Sequence, residues 1–309
     1  MPRISVCLTH YNRPEKLAAT LESLAAQTRQ PDEVFLWDDC SPKDPTEIAR
    51  QFEGRFRHFV YHRNQPNLNM PGNLNAVLAQ ATGDFIANLH DADIFAPTLL
   101  EKWEAALIRH PSAGLVFSGV DERKPGSNDG IVWLHPVEPL TPGREFFEKR
   151  FVGCYGSMIW GTVMVRREVY DKLLPFNPVY RNWADVDMWM RICLQADIAY
   201  VREALIVLDC SATAHRRFNW FSVVVTQAMI LANIERAYAG DSANLKKYRI
   251  LQLRLLRRRF VRHLLAAIVH RDGRRWRTGC HIAGSIFRGE ISPAFLDSLW
   301  RSEFGPGKN

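Results

Sequence analysis

Three apolar runs near the start of this chain stop in the same way. Ile4-Ser5-Val6-Cys7-Leu8 gives way to Thr9-His10-Tyr11-Asn12-Arg13-Pro14. Val34-Phe35-Leu36-Trp37 ends in Asp38-Asp39-Cys40-Ser41, and Phe85-Ile86-Ala87-Asn88-Leu89 ends in His90-Asp91-Ala92-Asp93. Short apolar runs of this kind read as strands covered on both faces. Between them lie segments of helical spacing, such as Leu17, Leu21 and Leu24 after Pro14 and Glu15, which suit the first turn of a helix. Strand and helix therefore alternate, which predicts an α/β fold with a mostly parallel central sheet flanked by helices. Ligands of such sheets bind beyond the carboxyl ends of the strands. That edge is where Tyr11, the Asp38-Asp39 pair and the Asp91-Ala92-Asp93 stretch fall.

Two carboxylates one residue apart at the end of a buried strand repel each other and lose solvation, so something cationic should compensate. One reading is a polar loop whose aspartates cap the next helix. The other is a site for a hard divalent cation that shares its oxygen ligands with a diphosphate. Neither Gly-x-Gly-x-x-Gly nor Gly-x-x-x-x-Gly-Lys-Ser/Thr occurs, so the dinucleotide and P-loop modes of phosphate binding are not supported.

Further along, helices are expected over 45–52, 73–80 and 98–110, and strands over 59–61, 114–120 and 158–165. The Gly-, Pro- and charge-rich stretch from Asp121 to Pro142 reads as a long surface loop. In Ala184-Asp185-Val186-Asp187-Met188-Trp189-Met190-Arg191, the residues Val186, Trp189, Met190 and Cys193 share one helical face, and Asp187 can pair with Arg191. Asp185, at the start of that helix, can act either as an N-cap or as a base, and the two roles compete because capping weakens a carboxylate as a base.

From about Arg216 helical periodicity runs to the end of the chain, which divides it into 1–215 and a helical extension, 216–309. The net charge of +7 owes much to this extension, where Arg254, Arg257, Arg258, Arg259, Arg262, Arg271, Arg274, Arg275 and Arg277 crowd among leucines. Such a basic amphipathic segment, Arg254 to Arg277, is either a solvated helix face or a surface for an anionic membrane or lipid-linked acceptor. Nucleic acid is disfavoured because no nucleic-acid-binding motif accompanies the charge. The six cysteines form no Cys-x-x-Cys pair and read as reduced core residues. With no secretory signal and no membrane-spanning run expected, the sequence reads as cytoplasmic, with peripheral attachment to the inner face of the membrane open.

The ordered set of these motifs resembles the family-2 glycosyltransferases of the GT-A fold. The resemblance rests on residues 4–14, Ala26-Gln27-Thr28, Pro31-Asp32-Glu33-Val34, Asp38-Asp39-Cys40-Ser41, Asn75, Ala81-Thr82-Gly83-Asp84 and 185–191. It covers roughly residues 2 to 215 and implies an inverting transferase that moves a sugar from a nucleotide-diphosphate donor, foremost a UDP-sugar, to a hydroxyl of a glycan or lipid-linked acceptor in surface-polysaccharide or glycolipid assembly. It further implies that Thr9, Tyr11, Asp38, Asp39 and Asn75 line the nucleotide site and that Asp185 is the general base. Mn²⁺ or Mg²⁺ would be held by Asp93 first and Asp91 second, with His90 and His215 as lesser candidates. The chain departs from the family pattern at His90 and Ala92, where the motif carries aspartates, and at Leu74, Ala184 and the surroundings of His215. A degenerate nucleotide-binding or scaffold subunit is therefore the alternative, and a sugar nucleotidyltransferase a lower one, since no Gly-rich, Lys-containing loop follows the first strand.

Overall fold

The computed structural model describes residues 1–123, 130–153, 157–159, 161–209 and 219–305. The first half runs β1 (Ile4–His10), α1 (Pro14–Ala25), β2 (Glu33–Asp38), α2 (Thr46–Arg50), β3 (Phe59–Arg63), α3 (Asn69–Leu78), β4 (Phe85–His90), β5 (Asp93–Phe95) and α4 (Leu99–Arg109). Then follow β6 (Ala113–Arg123), β7 (Gly130–Trp133), β8 (Leu140–Thr141), α5 (Gly143–Phe146), a π-helical turn (Phe147–Val152), β9 (Val163–Arg166) and α6 (Arg167–Tyr170). A 3₁₀ turn (Pro178–Trp183) leads into α7 (Ala184–Cys193) and β10 (Asp197–Asp209). The chain closes with α8 (Trp220–Ala237), α9 (Ser242–Val269), α10 (Gly273–Arg288) and α11 (Pro293–Phe304).

The sheet has the order β3-β2-β1-β4-β9-β6-β10-β5. Its β3-β2-β1-β4 half is parallel, as expected from the strand–helix alternation. The other half is mixed: β9 runs antiparallel to both β4 and β6, β10 is parallel to β6, and β5 returns antiparallel on β10. The sequence showed no antiparallel signal here because β9 is buried on both faces like the parallel strands.

Alternation along the strands divides the core between two faces. Ile4, Val6 and Leu8 of β1 pack with Leu17, Leu21 and Leu24 of α1 and with Trp103 and Leu107 of α4. Cys7, Phe35, Trp37 and Ile86 face α3. On that same face, beneath the mixed half, Phe117, Val163 and Trp189 join Trp220, Phe221, Leu256, Phe260 and Trp300 in one continuous core. Each such side chain contributes roughly 1.5–3 kcal/mol by leaving water. The helices α8 to α11 are thus packed into the sheet domain, and the expected boundary near residue 215 does not separate two cores.

Several local expectations shift. Helix α3 starts at Asn69, four residues before the expected start, and the loop expected over Asp121 to Pro142 contributes the end of β6 together with β7 and β8. The strand expected over 158–165 is β9, confined to Val163–Arg166. Cys7 and Cys193 are buried, but Cys280 is exposed on α10. No helix among the described residues is long and apolar enough to cross a membrane.

Candidate active site

The strand ends set the site. In the parallel register Thr9 of β1 lies between Trp37 of β2 and His90 of β4, and all three side chains point to the α3 side of the sheet. The polar tails that follow these strands are thereby gathered on one edge.

At the end of β2, Asp38 is fully buried. Its Oδ1 accepts from the Ser41 hydroxyl, its Oδ2 accepts from the Ser41 amide at 3.1 Å, and Arg63 Nε lies 3.6 Å from Oδ2. Both oxygens are committed to shaping the turn. Asp39 ties two loops together: its Oδ1 accepts from the Leu68 amide at 2.7 Å and from Asn64 Nδ2 at 3.0 Å, while Oδ2 makes no hydrogen bond among the described residues. Tyr11 is exposed beside them. Asn75 faces elsewhere. Its Nδ2 donates to the Phe176 carbonyl at 3.0 Å and its Oδ1 accepts from the Phe176 amide at 2.8 Å, which pins α3 to the segment ahead of α7.

The opposed aspartates beyond β4 differ sharply from each other. Asp91 turns back onto β1. Its Oδ2 lies 2.7 Å from Nδ1 of the buried His10 and accepts from the Tyr11 amide at 3.1 Å, and its Oδ1 accepts from Arg13 at 3.3 Å. Burial alone would raise the Asp91 carboxyl, but His10, Arg13 and the amide outweigh it and hold it below the ordinary carboxylate range. Asp93 opens the short β5 and is just as buried, with far less help. Thr162 Oγ1 donates to its Oδ2 at 3.0 Å, and His90 Nδ1 stands 3.8 Å away. Burial pushes Asp93 up to about 6.

Asp185 lies in the first turn of α7. The residue preceding that helix is Trp183, and no side chain caps it, so Asp185 is not the N-cap. Its Oδ1 accepts from the Val186 amide at 2.8 Å. Burial raises its pKa, opposed in part by His90. Gly161, with φ +88°, explains how the groups come together: a Cβ there would stand 2.9 Å from both Asp185 Oδ2 and His90 Nε2. His90, whose side chain is 40% exposed, thus has Asp93 3.8 Å from its Nδ1 and shares with Asp185 the space left beside Gly161. The expected pair of Asp187 and Arg191 forms at 2.9 Å, buried, with Asn233 and Arg236 of α8 also on Asp187. His215 lies outside the described residues.

Among the described residues no three His, Cys, Asp or Glu side chains cluster into a ready ligand set. With Asp91 saturated, the donors left for a cation are Asp93 and the partly open His90. A buried carboxyl with one hydroxyl partner, beside an accessible imidazole, fits an ion that keeps most of its shell as water and phosphate oxygens.

Reasoning from sequence missed His10, Arg13, Gly161 and Thr162. A His and an Arg bracketing the first turn, with two aspartates beyond a neighbouring parallel strand, offered a charge-complementary signal for the first two. Gly161 and Thr162 lie some seventy residues from His90 and Asp93 and carried none.

Comparison with known proteins bears on family and fold. The chain matches the model for glycosyl transferase family 2 over residues 5–174. It is 29% identical over 228 residues to the putative glycosyltransferase EpsE of Bacillus subtilis, covering 71% of this chain and 78% of that protein. It is 25% identical to the putative teichuronic acid biosynthesis glycosyltransferase TuaG of the same organism, over 64% of this chain and 75% of that one. In fold it resembles the crystal structure of S. aureus TarS residues 1–349 in complex with UDP, with a TM-score of 0.67 at 18% identity, covering 96% of this chain and 83% of that one. The family model spans more than half of the chain, and its matched region carries the strand ends that build the site: the protein belongs to glycosyl transferase family 2 and is a glycosyltransferase of GT-A-like fold.

Proposed function

We propose that the protein transfers a sugar from a nucleoside-diphosphate donor to an acceptor hydroxyl in a single, inverting displacement, and that Asp185 is the base. The observation that carries this reading is the placement of Asp185: a half-buried aspartate with a raised pKa, in the first turn of α7, sharing with His90 the space beside Gly161. A carboxylate removed from water is a stronger proton acceptor than a free one, which suits it to take the acceptor's proton as the oxygen attacks the anomeric carbon. The donor base lies, in this reading, against Thr9, Tyr11 and the free oxygen of Asp39, while Asp38 and Asn75 hold the loops that frame it. Arg13, fixed by Asp91, offers positive charge at the N-terminus of α1.

A divalent ion, Mn²⁺ or Mg²⁺, would be held by Asp93 with His90 beside it, and would neutralise charge on the departing nucleoside diphosphate. Asp91 is assigned to positioning and not to the metal. A UDP-sugar donor is supported by the fold shared with TarS, whose structures include complexes with UDP and with UDP-GlcNAc. Relatives named for surface-polysaccharide assembly support a glycan or lipid-linked acceptor.

The test is Asp185→Asn. Transfer should be lost while titration with UDP gives an unchanged Kd. Turnover equal to the parent would remove Asp185 from the mechanism and with it this reading.

A further inference from the structure

The α9–α10 hairpin carries a surface that the reaction site does not use. The two helices run antiparallel, as the pairs Arg257 with Phe287 and His263 with Arg275 show. One stripe of α9 (Gln252, Leu256, Phe260 and Ala267) is buried. The opposite stripe is exposed and recurs at three- and four-residue steps through Leu251, Arg254, Arg258, Arg262, Leu265 and Val269. At the closed end of the hairpin the apolar exposure peaks: Leu265 is 56% exposed, Ile268 53% and Val269 77%, and Trp276 in the first turn of α10 is 39% exposed.

The charge on this surface is of one sign. Helix α9 holds eight Lys or Arg and no Asp or Glu. Between Ser242 and Arg288 the single acidic residue is Asp272, whose carboxylate is occupied by the Arg275 amide at 3.0 Å. Arg254, Arg258, Arg262 and Arg271 make no ion pair among the described residues.

We infer that this face docks the protein on an anionic phospholipid bilayer. In that arrangement Leu265, Ile268, Val269 and Trp276 enter the interfacial layer, and Arg254, Arg258, Arg262 and Arg271 meet lipid phosphates. Interleaved apolar and basic side chains on one helix face are what such an interface selects, since each kind contributes to binding. Charge disfavours a second copy of the chain as the occupant, because pairing this face with itself opposes like charges. A nucleic acid or other soluble polyanion would use the arginines and leave the apolar side chains in water. The surface lies outside the reaction site, so its test does not depend on turnover.

The experiment is flotation of the full-length protein with vesicles of phosphatidylcholine alone and of phosphatidylcholine mixed with phosphatidylglycerol. The protein should float with the mixed vesicles only. The exposed triple variant L265S/V269S/W276S should weaken that binding at least ~10-fold, and R254E/R258E/R262E should abolish it. Both variants should retain the parent's thermal unfolding, since neither set is buried. Three results overturn the inference: no binding to the mixed vesicles, equal binding to phosphatidylcholine alone, or full binding by the apolar variant alongside loss in the arginine variant. The last assigns the face to a soluble polyanion.

Discussion

Gly161 stands where a side chain would collide with both His90 and Asp185. Its φ of +88° is in the region that L side chains rarely adopt, and a Cβ there would lie 2.6 Å from His90 Cε1 and 2.9 Å from Asp185 Oδ2. The positions of the imidazole and of the carboxyl both depend on the absence of that one carbon.

Gly161→Ala should therefore damage chemistry more than folding. The backbone conformation costs an alanine roughly 1–3 kcal/mol, so the Tm falls by a few degrees at most. Displacing Asp185 by a fraction of an ångström should lower kcat on the order of 100-fold with little change in UDP affinity. A kcat within twofold of the parent would show that the placement of Asp185 beside Gly161 is not used in catalysis.

The two aspartates beyond β4 should separate cleanly in mutants. Asp91→Asn leaves His10 and Arg13 without their carboxylate, so it should cost stability of about 2–4 kcal/mol by denaturant unfolding. Its dependence of turnover on Mn²⁺ should match the parent's. Asp93→Asn should raise the Mn²⁺ concentration needed for half-maximal turnover at least ~10-fold. A metal requirement shifted by the Asp91 variant and not by the Asp93 variant would reverse the assignment.

Asp93 also gives stability a pH dependence. Unfolded, its carboxyl releases a proton near 3.8, and folded at about 6. Between those values the folded chain binds more protons, so stability falls as pH rises and levels off above about 6. The full effect is on the order of 3 kcal/mol, and it should be absent in Asp93→Asn. Asp91 acts in the opposite sense, because its depressed value stabilises the fold above the ordinary carboxylate range and is lost in acid. Mn²⁺ with UDP should raise the Tm of the parent more at pH 8 than at pH 5, where protonated Asp93 is a poor ligand. Equal shifts at both values would argue against Asp93 as a ligand.

The Asp187 cluster is predicted to serve stability alone. Its Oδ2 lies 2.9 Å from Arg191 Nε, and its Oδ1 accepts from Asn233 Nδ2 at 2.9 Å, all buried at the joint of α7 and α8. Asp187→Ala strands the Arg191 guanidinium and should cost about 3–5 kcal/mol. Conditions that keep the variant folded should restore its kcat. A kcat that stays low there would mean the cluster also sets the position of Asp185.

The parallel half of the sheet was legible because β1, β2 and β4 are short apolar runs with polar ends, and that pattern has few other solutions. The mixed half was not, since a strand buried on both faces looks alike whichever way it runs, and β7 and β8 sit in a stretch whose Gly and Pro content reads as loop. At the site, the residue types at strand ends marked Asp39 and Asp93 as candidates, and the start of a helix marked Asp185. What each carboxyl touches depends on contacts some seventy to eighty residues apart, such as Asp91 with His10 and Asp93 with Thr162. Local patterning holds no record of those contacts, nor of the hydrogen bonds that tie Asp38 to Ser41 and Asn75 to Phe176.

The turn that presents Asp185 is clasped from the far end of the chain. Arg181, with φ 51°, donates to Asp297 Oδ1 of α11 at 2.8 Å and lies over the Trp300 ring, which packs edge-on against Phe221 of α8. The proposed base, in the first turn of α7, is thus braced by the last ninety residues of the chain. The sheet and the closing helices share one core and are not separable in the test tube. A fragment cut near residue 216 would leave Trp189 and its neighbours on α7 facing water and should be recovered as aggregate.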